Sequence, residues 1–261
     1  MGAAAFFDLD KTIIATSSAT AFSRPFYAGG LITRRDVLRT AYAQFLFLLG
    51  RADADQTERL RAHLSSLAAG WDVAQVSAIV SETLHLHIEP TVYAEAVALI
   101  DEHHAAGRDV VVVSASGSEV VEPIAALLGA DRVVATQMEV VDGRYTGGIA
   151  FYAYGPAKAE AVRRLAAEHG YDLDASYAYS DSVTDVPMLE VVGSAAVVNP
   201  DRALRRLAVE RGWDVLTFAR PVALRPSFPP PRRTVPVAAL LVLAAVAAAW
   251  VVGRRRRLSR G

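Results

Sequence analysis

Four consecutive valines, Val110 to Val113, constrain the fold more than any other feature of the chain. Successive side chains of a strand point to opposite faces, so an unbroken apolar run must be buried on both. That is the mark of a parallel sheet covered by helices on each side. Other short apolar runs fit the same plan, with strands expected at 3–8, 132–135, 177–180 and 195–198. Helical patterns at 91–106, 119–128, 157–168 and 186–192 alternate with them. Alternation of this kind predicts an α/β, doubly wound, Rossmann-like parallel sheet with ligands at the carboxyl ends of its strands. Asp142-Gly143, between the runs 137–141 and 145–149, predicts a hairpin.

The stretch 16–89 reads as helical throughout. Ser17 and Ser18 can cap a helix at 19–28 that Gly29-Gly30 ends; 33–49 follows, then 55–69 ended by Gly70, then 73–86 capped by Asp72. Helices inserted between the first strand and the next predict a cap domain at 16–89, with 1–15 and 90–219 forming the catalytic core. The greasy run Ala41-Tyr42-Ala43-Gln44-Phe45-Leu46-Phe47-Leu48-Leu49 is expected to pack inside that cap. The alternative is a lip that meets a membrane or an acyl chain.

Charge separates the body from the tail. No acid follows Asp214, whereas Arg220, Arg225, Arg232, Arg233, Arg254 to Arg257 and Arg260 do. An acidic body argues against nucleic acid as a partner, and the basic tail points toward a membrane. A Pro/Arg-rich linker at 220–234 leads to the uncharged run 235–252, which meets Arg254 to Arg257. Eighteen residues lie at the short end of the span a bilayer needs. The expectation is a single C-terminal transmembrane helix, a basic tail at 253–261 and a catalytic body on the cytoplasmic side. The N-terminus shows no basic region and hydrophobic core of a signal peptide. With no cysteine, thiolate chemistry and cysteine-ligated metals are excluded.

Asp8 and Asp10 end the first apolar run, two residues apart and therefore on one side of a strand. Alone, such a pair is most often a solvated turn. Paired acids otherwise call for a cation or a shared proton, which suits a nucleophilic carboxylate, a neighbouring acid/base and Mg²⁺. Further groups fall at matching places. Ser114 ends the second strand before the small residues Ala115, Ser116 and Gly117, whose backbone N–H groups can cradle an oxyanion. Lys158, one of only two lysines beside Lys11, opens a helix after Gly155-Pro156. In a chain that otherwise uses arginine, its compact ammonium is notable. Asp181 and Asp185 follow the strand at 177–180. Several acids, one lysine and one hydroxyl match the needs of phosphoryl transfer.

Taken in order, these motifs resemble the haloacid dehalogenase superfamily, and within it the phosphoserine-phosphatase-like hydrolases with a helical cap. The resemblance covers roughly residues 3–218. It implies that Asp8 is the nucleophile and that Asp10 protonates the leaving alkoxide and later activates water. It implies that Ser114 and Ala115 bind the phosphoryl group, Thr12 supports that loop and the substrate side, and Lys158 neutralises charge on nucleophile and substrate. Asp8, Asp181 and the Asp10 backbone carbonyl would ligate Mg²⁺, with Asp185 supporting the metal shell or Lys158. The expected activity is hydrolysis of a small or amphiphilic phosphomonoester through an aspartyl-phosphate.

Departures from the pattern bear on the substrate. Ser17 stands nine residues after Asp8, where the phosphoserine enzymes carry a glutamate for the substrate ammonium. Ser180-Asp181-Ser182 replaces their Gly-Asp-Gly, and Thr184 replaces an asparagine. Phosphoserine is therefore disfavoured. His85 and His87 read as solvated side chains near a helix end, and His103-His104 as surface. A phosphotransferase of the same fold and a membrane-anchored regulatory protein without turnover remain the rival readings.

Overall fold

The computed structural model describes residues 2–33 and 68–221. Residues 1–224 form one compact unit and 225–261 a second. The first unit is built on a seven-stranded sheet in the order β4-β3-β2-β1-β5-β6-β7. Its strands are β1 (Ala4–Phe7), β2 (Asp109–Gly117), β3 (Arg132–Val141), β4 (Arg144–Phe151), β5 (Tyr177–Ser180), β6 (Ser194–Val198) and β7 (Asp214–Leu216). All neighbours are parallel except β3 and β4. β1 lies between β2 and β5, so the strand order reverses at its two sides.

The double-sided burial expected of the valines is present. Val110 and Val112 join Phe7 in one core, while Val111 and Val113 join Phe6 in the other. All six are fully buried. Burying each valine contributes about 1.5–3 kcal/mol, so this central pair of strands alone anchors both layers. The first layer carries α1 (Ser18–Ala28), α2 (Val73–His87), α3 (Ala94–Ala105) and α4 (Ser118–Leu127). The second carries α5 (Pro156–His169), α6 (Val186–Leu189) and α7 (Arg202–Arg211). Asp72 caps α2 by accepting from the Ala74 and Gln75 N–H groups, and Ser17 caps α1 through Thr20.

Several expected bounds differ. The runs 132–135 and 137–141 are one strand, β3, parallel to β2 in its first half and antiparallel to β4 in its second. At the hairpin, Asp142 and Gly143 both take positive φ, +50° and +74°, as a type I′ turn requires. The expected helix at 186–192 is a 3₁₀ turn, Val183–Asp185, followed by the short α6. The strand β7 was not anticipated, because three residues show no period. Among the described residues no helix is long and apolar enough to cross a membrane. The expected span 235–252, the run 41–49 and the helices at 33–49 and 55–69 lie wholly or largely outside those residues.

Candidate active site

The site forms where β1 leaves the sheet between its two neighbours. Phe7 is in register with Val112 of β2 and Tyr179 of β5. The Asp8 N–H extends the ladder by one bond, donating to the Tyr179 carbonyl at 2.9 Å. Asp8, Ser114 and Ser180 thus arrive together at the carboxyl edge, the place where open α/β sheets bind ligands. Lys11 takes a left-handed φ of +61°, which turns the chain back under Asp8. Such a conformation costs a side chain about 1–3 kcal/mol and is held by the surrounding structure. On the other side Gly155, with φ +54°, makes the turn into α5, and Pro156 presets its first helical residue. Lys158 therefore points into the site from the first turn of the helix.

Lys158 is 2% exposed and is the centre of the arrangement. Its Nζ donates to Asp8 Oδ1 at 2.7 Å and to Asp185 Oδ2 at 2.8 Å. Ser180 Oγ also donates to Asp185 Oδ2 at 2.8 Å and in turn accepts from the Ser182 N–H at 3.1 Å, so Asp185 is fixed from two sides. Thr12 Oγ1 donates to Asp8 Oδ2 at 3.3 Å and accepts from the Asp181 N–H at 3.0 Å, tying the first motif to the fourth. Asp10 accepts from the Ser18 N–H at 2.9 Å and the Ser18 hydroxyl at 3.2 Å. Ser116 stands 2.7 Å from the Ser18 hydroxyl and 3.5 Å from Asp10. Asp8, Asp10, Lys11, Ser17, Ser114, Ala115, Tyr154, Lys158, Asp181 and Asp185 all line one cavity of about 210 Å³.

Charge in this cavity is unbalanced: four carboxylates face two ammonium groups. Burial pushes Asp8 up to about 8, with Asp185 and Asp10 adding to the rise and Lys158 opposing it. Burial likewise raises Asp10 against the hydrogen bonds from Ser18. Asp181 is pushed up to about 6, first by burial and then by Asp185, while Lys11 pulls it down. Burial works against the charge on Lys158, but Asp8 and Asp185 outweigh it and hold the ammonium charged.

A buried lysine bonded to one carboxylate at the end of β1 and another in the turn after β5, with a further acid two residues beyond the first, is the decisive geometry, and the family model of the haloacid dehalogenase-like hydrolases matches residues 5–190. The chain belongs to that family. It is similar to the inhibition of morphological differentiation protein of Streptomyces azureus, 66% identical over 234 residues that cover 88% of this chain and 84% of the relative. A probable phosphatase of Mycobacterium tuberculosis is 63% identical over 228 residues, covering 87% of this chain and 79% of its own. A phosphoserine phosphatase from the same organism is 39% identical over 218 residues, 83% of this chain and 71% of its own. Among solved structures, a Bordetella pertussis protein described as of unknown function shares 31% identity with a TM-score of 0.73, over 83% of this chain and 98% of that one. The haloacid dehalogenase fold and these relatives together identify the chain as a phosphatase.

Among the described residues no three His, Asp or Glu side chains cluster as a metal cage. Asp8 and Asp181 line one cavity with Asp10, and these two carboxylates with the Asp10 carbonyl would hold a cation without such a cage. Mg²⁺ keeps several waters and favours one or two protein carboxylates beside the substrate's phosphate oxygens, so hard oxygen donors in a cavity short of positive charge fit it.

The expected site residues meet in this one cavity with one exception. Thr12 is fully buried beneath the cavity, and its hydroxyl is used between Asp8 and the Asp181 backbone rather than toward a substrate. The sequence marks Ser18 only as a helix cap, Ser116 only as a small residue of the cradle and Ser180 only as a departure in the fourth motif; their side-chain bonds to Asp10 and Asp185, and the place of Tyr154 in the cavity, come from the fold. His103 corrects an expectation outright. It is 2% exposed rather than on the surface, accepts from Arg108 Nε at 2.7 Å and lies 2.8 Å from the Tyr179 hydroxyl. A His-His pair on a helix reads the same whether it faces water or a sheet.

Proposed function

We propose that the chain is a Mg²⁺-dependent phosphomonoesterase working through an aspartyl-phosphate. The observation that carries this reading is the buried Lys158 bridging Asp8 and Asp185 at 2.7 and 2.8 Å, at the wall of a cavity that Asp10 and Asp181 share. Mg²⁺, held by Asp8, Asp181 and the Asp10 carbonyl, would offset the negative charge of carboxylates and phosphoryl oxygens. Asp8 attacks phosphorus in line, forming an acyl phosphate as the ester P–O bond breaks, and Asp10 gives its proton to the departing alkoxide. Asp10 then takes a proton from water as the water attacks phosphorus, releasing phosphate and restoring Asp8. Lys158 orients Asp8 and balances charge, while the Ser114 hydroxyl and Ala115 N–H hold a phosphoryl oxygen.

Burial supports the acid role of Asp10 by raising its pKa, against the bonds from Ser18 and Ser116 that hold the carboxyl in place. Ser17 supports the exclusion of phosphoserine: it lines the cavity, yet its hydroxyl caps α1 and it carries no charge for an ammonium. We also propose attachment to the cell membrane through 235–252, supported by eighteen uncharged residues running into four arginines. Purified protein should hydrolyse p-nitrophenyl phosphate with Mg²⁺. EDTA should abolish that activity, and Asp8→Asn should reduce it about a thousandfold or more. Turnover that survives both changes overturns the mechanism. Release of the full chain from membranes by carbonate would overturn the anchor.

A further inference from the structure

A second cavity, of about 300 Å³, adjoins the catalytic one. Its walls are chiefly Phe26, Trp71, Met138, Tyr145, Ile149 and Tyr152, brought together from α1, the segment before α2 and the β3–β4 hairpin. Phe26 and Trp71 meet edge to face with ring centroids 6.0 Å apart. Among the described residues Glu119 is the one charged residue of the lining, and its carboxylate is bonded to the Tyr145 hydroxyl.

Two links join this cavity to the site of chemistry. Ala115, which follows the phosphoryl-binding Ser114, lines both. Tyr154 lines the catalytic cavity and Tyr152 the apolar one, and their rings stack at 5.3 Å and 16°. A group leaving from a phosphorus atom beside Ala115 has this aromatic chamber as its neighbour. Half-buried apolar walls gain free energy when an apolar group covers them, roughly 25 cal/mol per Å². A zwitterionic head would lose its hydration there against a single carboxylate already paired with Tyr145.

We infer that the chamber is the leaving-group subsite, and that the substrate is the phosphomonoester of a compact aromatic or branched apolar alcohol. The rings of Phe26, Trp71, Tyr145 and Tyr152 around about 300 Å³ offer flat apolar faces that suit a ring on a short linker. The inference rests on the phosphomonoesterase reading for the place of the phosphoryl group. It is tested without turnover, so that the two can fail separately.

The test compares 3-phenylpropylphosphonate with propylphosphonate, non-hydrolysable mimics of matched esters, by calorimetric binding to the full chain with Mg²⁺. The phenyl compound should bind at least about tenfold tighter. Ile149→Trp, which fills the chamber from β4, should reduce that ratio to about twofold or less while propylphosphonate still binds. Met138→Trp fills it from the facing position of β3 and serves where the first variant does not fold. Equal affinities in the parent chain overturn the subsite, as does a ratio unchanged in both variants or no binding of either compound. Discriminating binding with no hydrolysis of 2-phenylethyl phosphate or p-nitrophenyl phosphate would sink the catalytic reading and leave the subsite standing.

Discussion

Two buried polar networks lie back to back across β5, and they are built on opposite principles. Ser180 and Tyr179 are consecutive, so their side chains leave the strand on opposite faces. Ser180 holds Asp185 and through it Lys158, whereas Tyr179 holds His103 and through it Arg108. Phe7 stacks on Tyr179 at 4.4 Å, and the next residue, Asp8, bonds Lys158. The catalytic network gathers more acids than ammonium groups around a cavity. The structural one is closed: burial, then the charge of Arg108, depresses His103 to about 4, and the neutral ring has a partner on each nitrogen. A satisfied network supports the sheet; the unbalanced one would draw a cation into its cavity.

Breaking each network should separate the two roles. Lys158→Met leaves Asp8 and Asp185 buried without their cation. Activity should fall about a hundred- to a thousandfold. Stability at pH 7 should fall by about 3–5 kcal/mol in denaturant titrations, unless the acids take up protons. His103→Leu strands the Tyr179 hydroxyl and the Arg108 guanidinium. It should cost about 1–3 kcal/mol, with activity per folded molecule little changed. A comparable loss of activity in both variants would erase the distinction.

The pH dependence should have opposite signs. An unfolded aspartate titrates near about 4, while burial holds the proton on Asp181 to about 6 and raises Asp8 against the pull of Lys158. Metal-free protein should therefore lose stability as pH rises through those values, because the folded chain binds more protons. His103 titrates at about 4 when folded and near about 6.5 when unfolded. Its contribution is complete above the unfolded value and is lost as pH falls toward about 4. Asp181→Asn should flatten the first limb and His103→Gln the second, read as melting temperature against pH. Mg²⁺ should raise the melting temperature more at alkaline than at acid pH, since protons compete for its ligands. The smallest effect expected is at Ser17: Ser17→Glu should raise kcat/KM for phosphoserine about two- to fivefold, the worth of a partly exposed charge pair. No gain would show that the cap excludes phosphoserine by another route.

The strand pattern around Val110 to Val113 and the ordered acids, serine and lysine made both the layer architecture and the centre of the site legible in the chain. Those features are local: an apolar run has a period, and a catalytic motif has a spacing. Aspartates 8, 10, 181 and 185 could be placed together because strands of one parallel sheet end at one edge. The groups that hold them could not. Ser18, at the start of α1, meets Ser116 of β2 across 98 residues. The serine contact has no motif to announce it; the packing of the start of α1 against the end of β2 creates it. The same holds for His103, whose burial depends on which face of α3 meets the sheet, and for the β3–β4 hairpin, whose strand changes partners midway. Sequence by itself determined the chemistry this protein carries. Packing decided which side chains hold Asp10, which of its polar networks is neutral, and that an aromatic chamber shares a wall with the catalytic cavity, because each depends on surfaces that only distant segments complete.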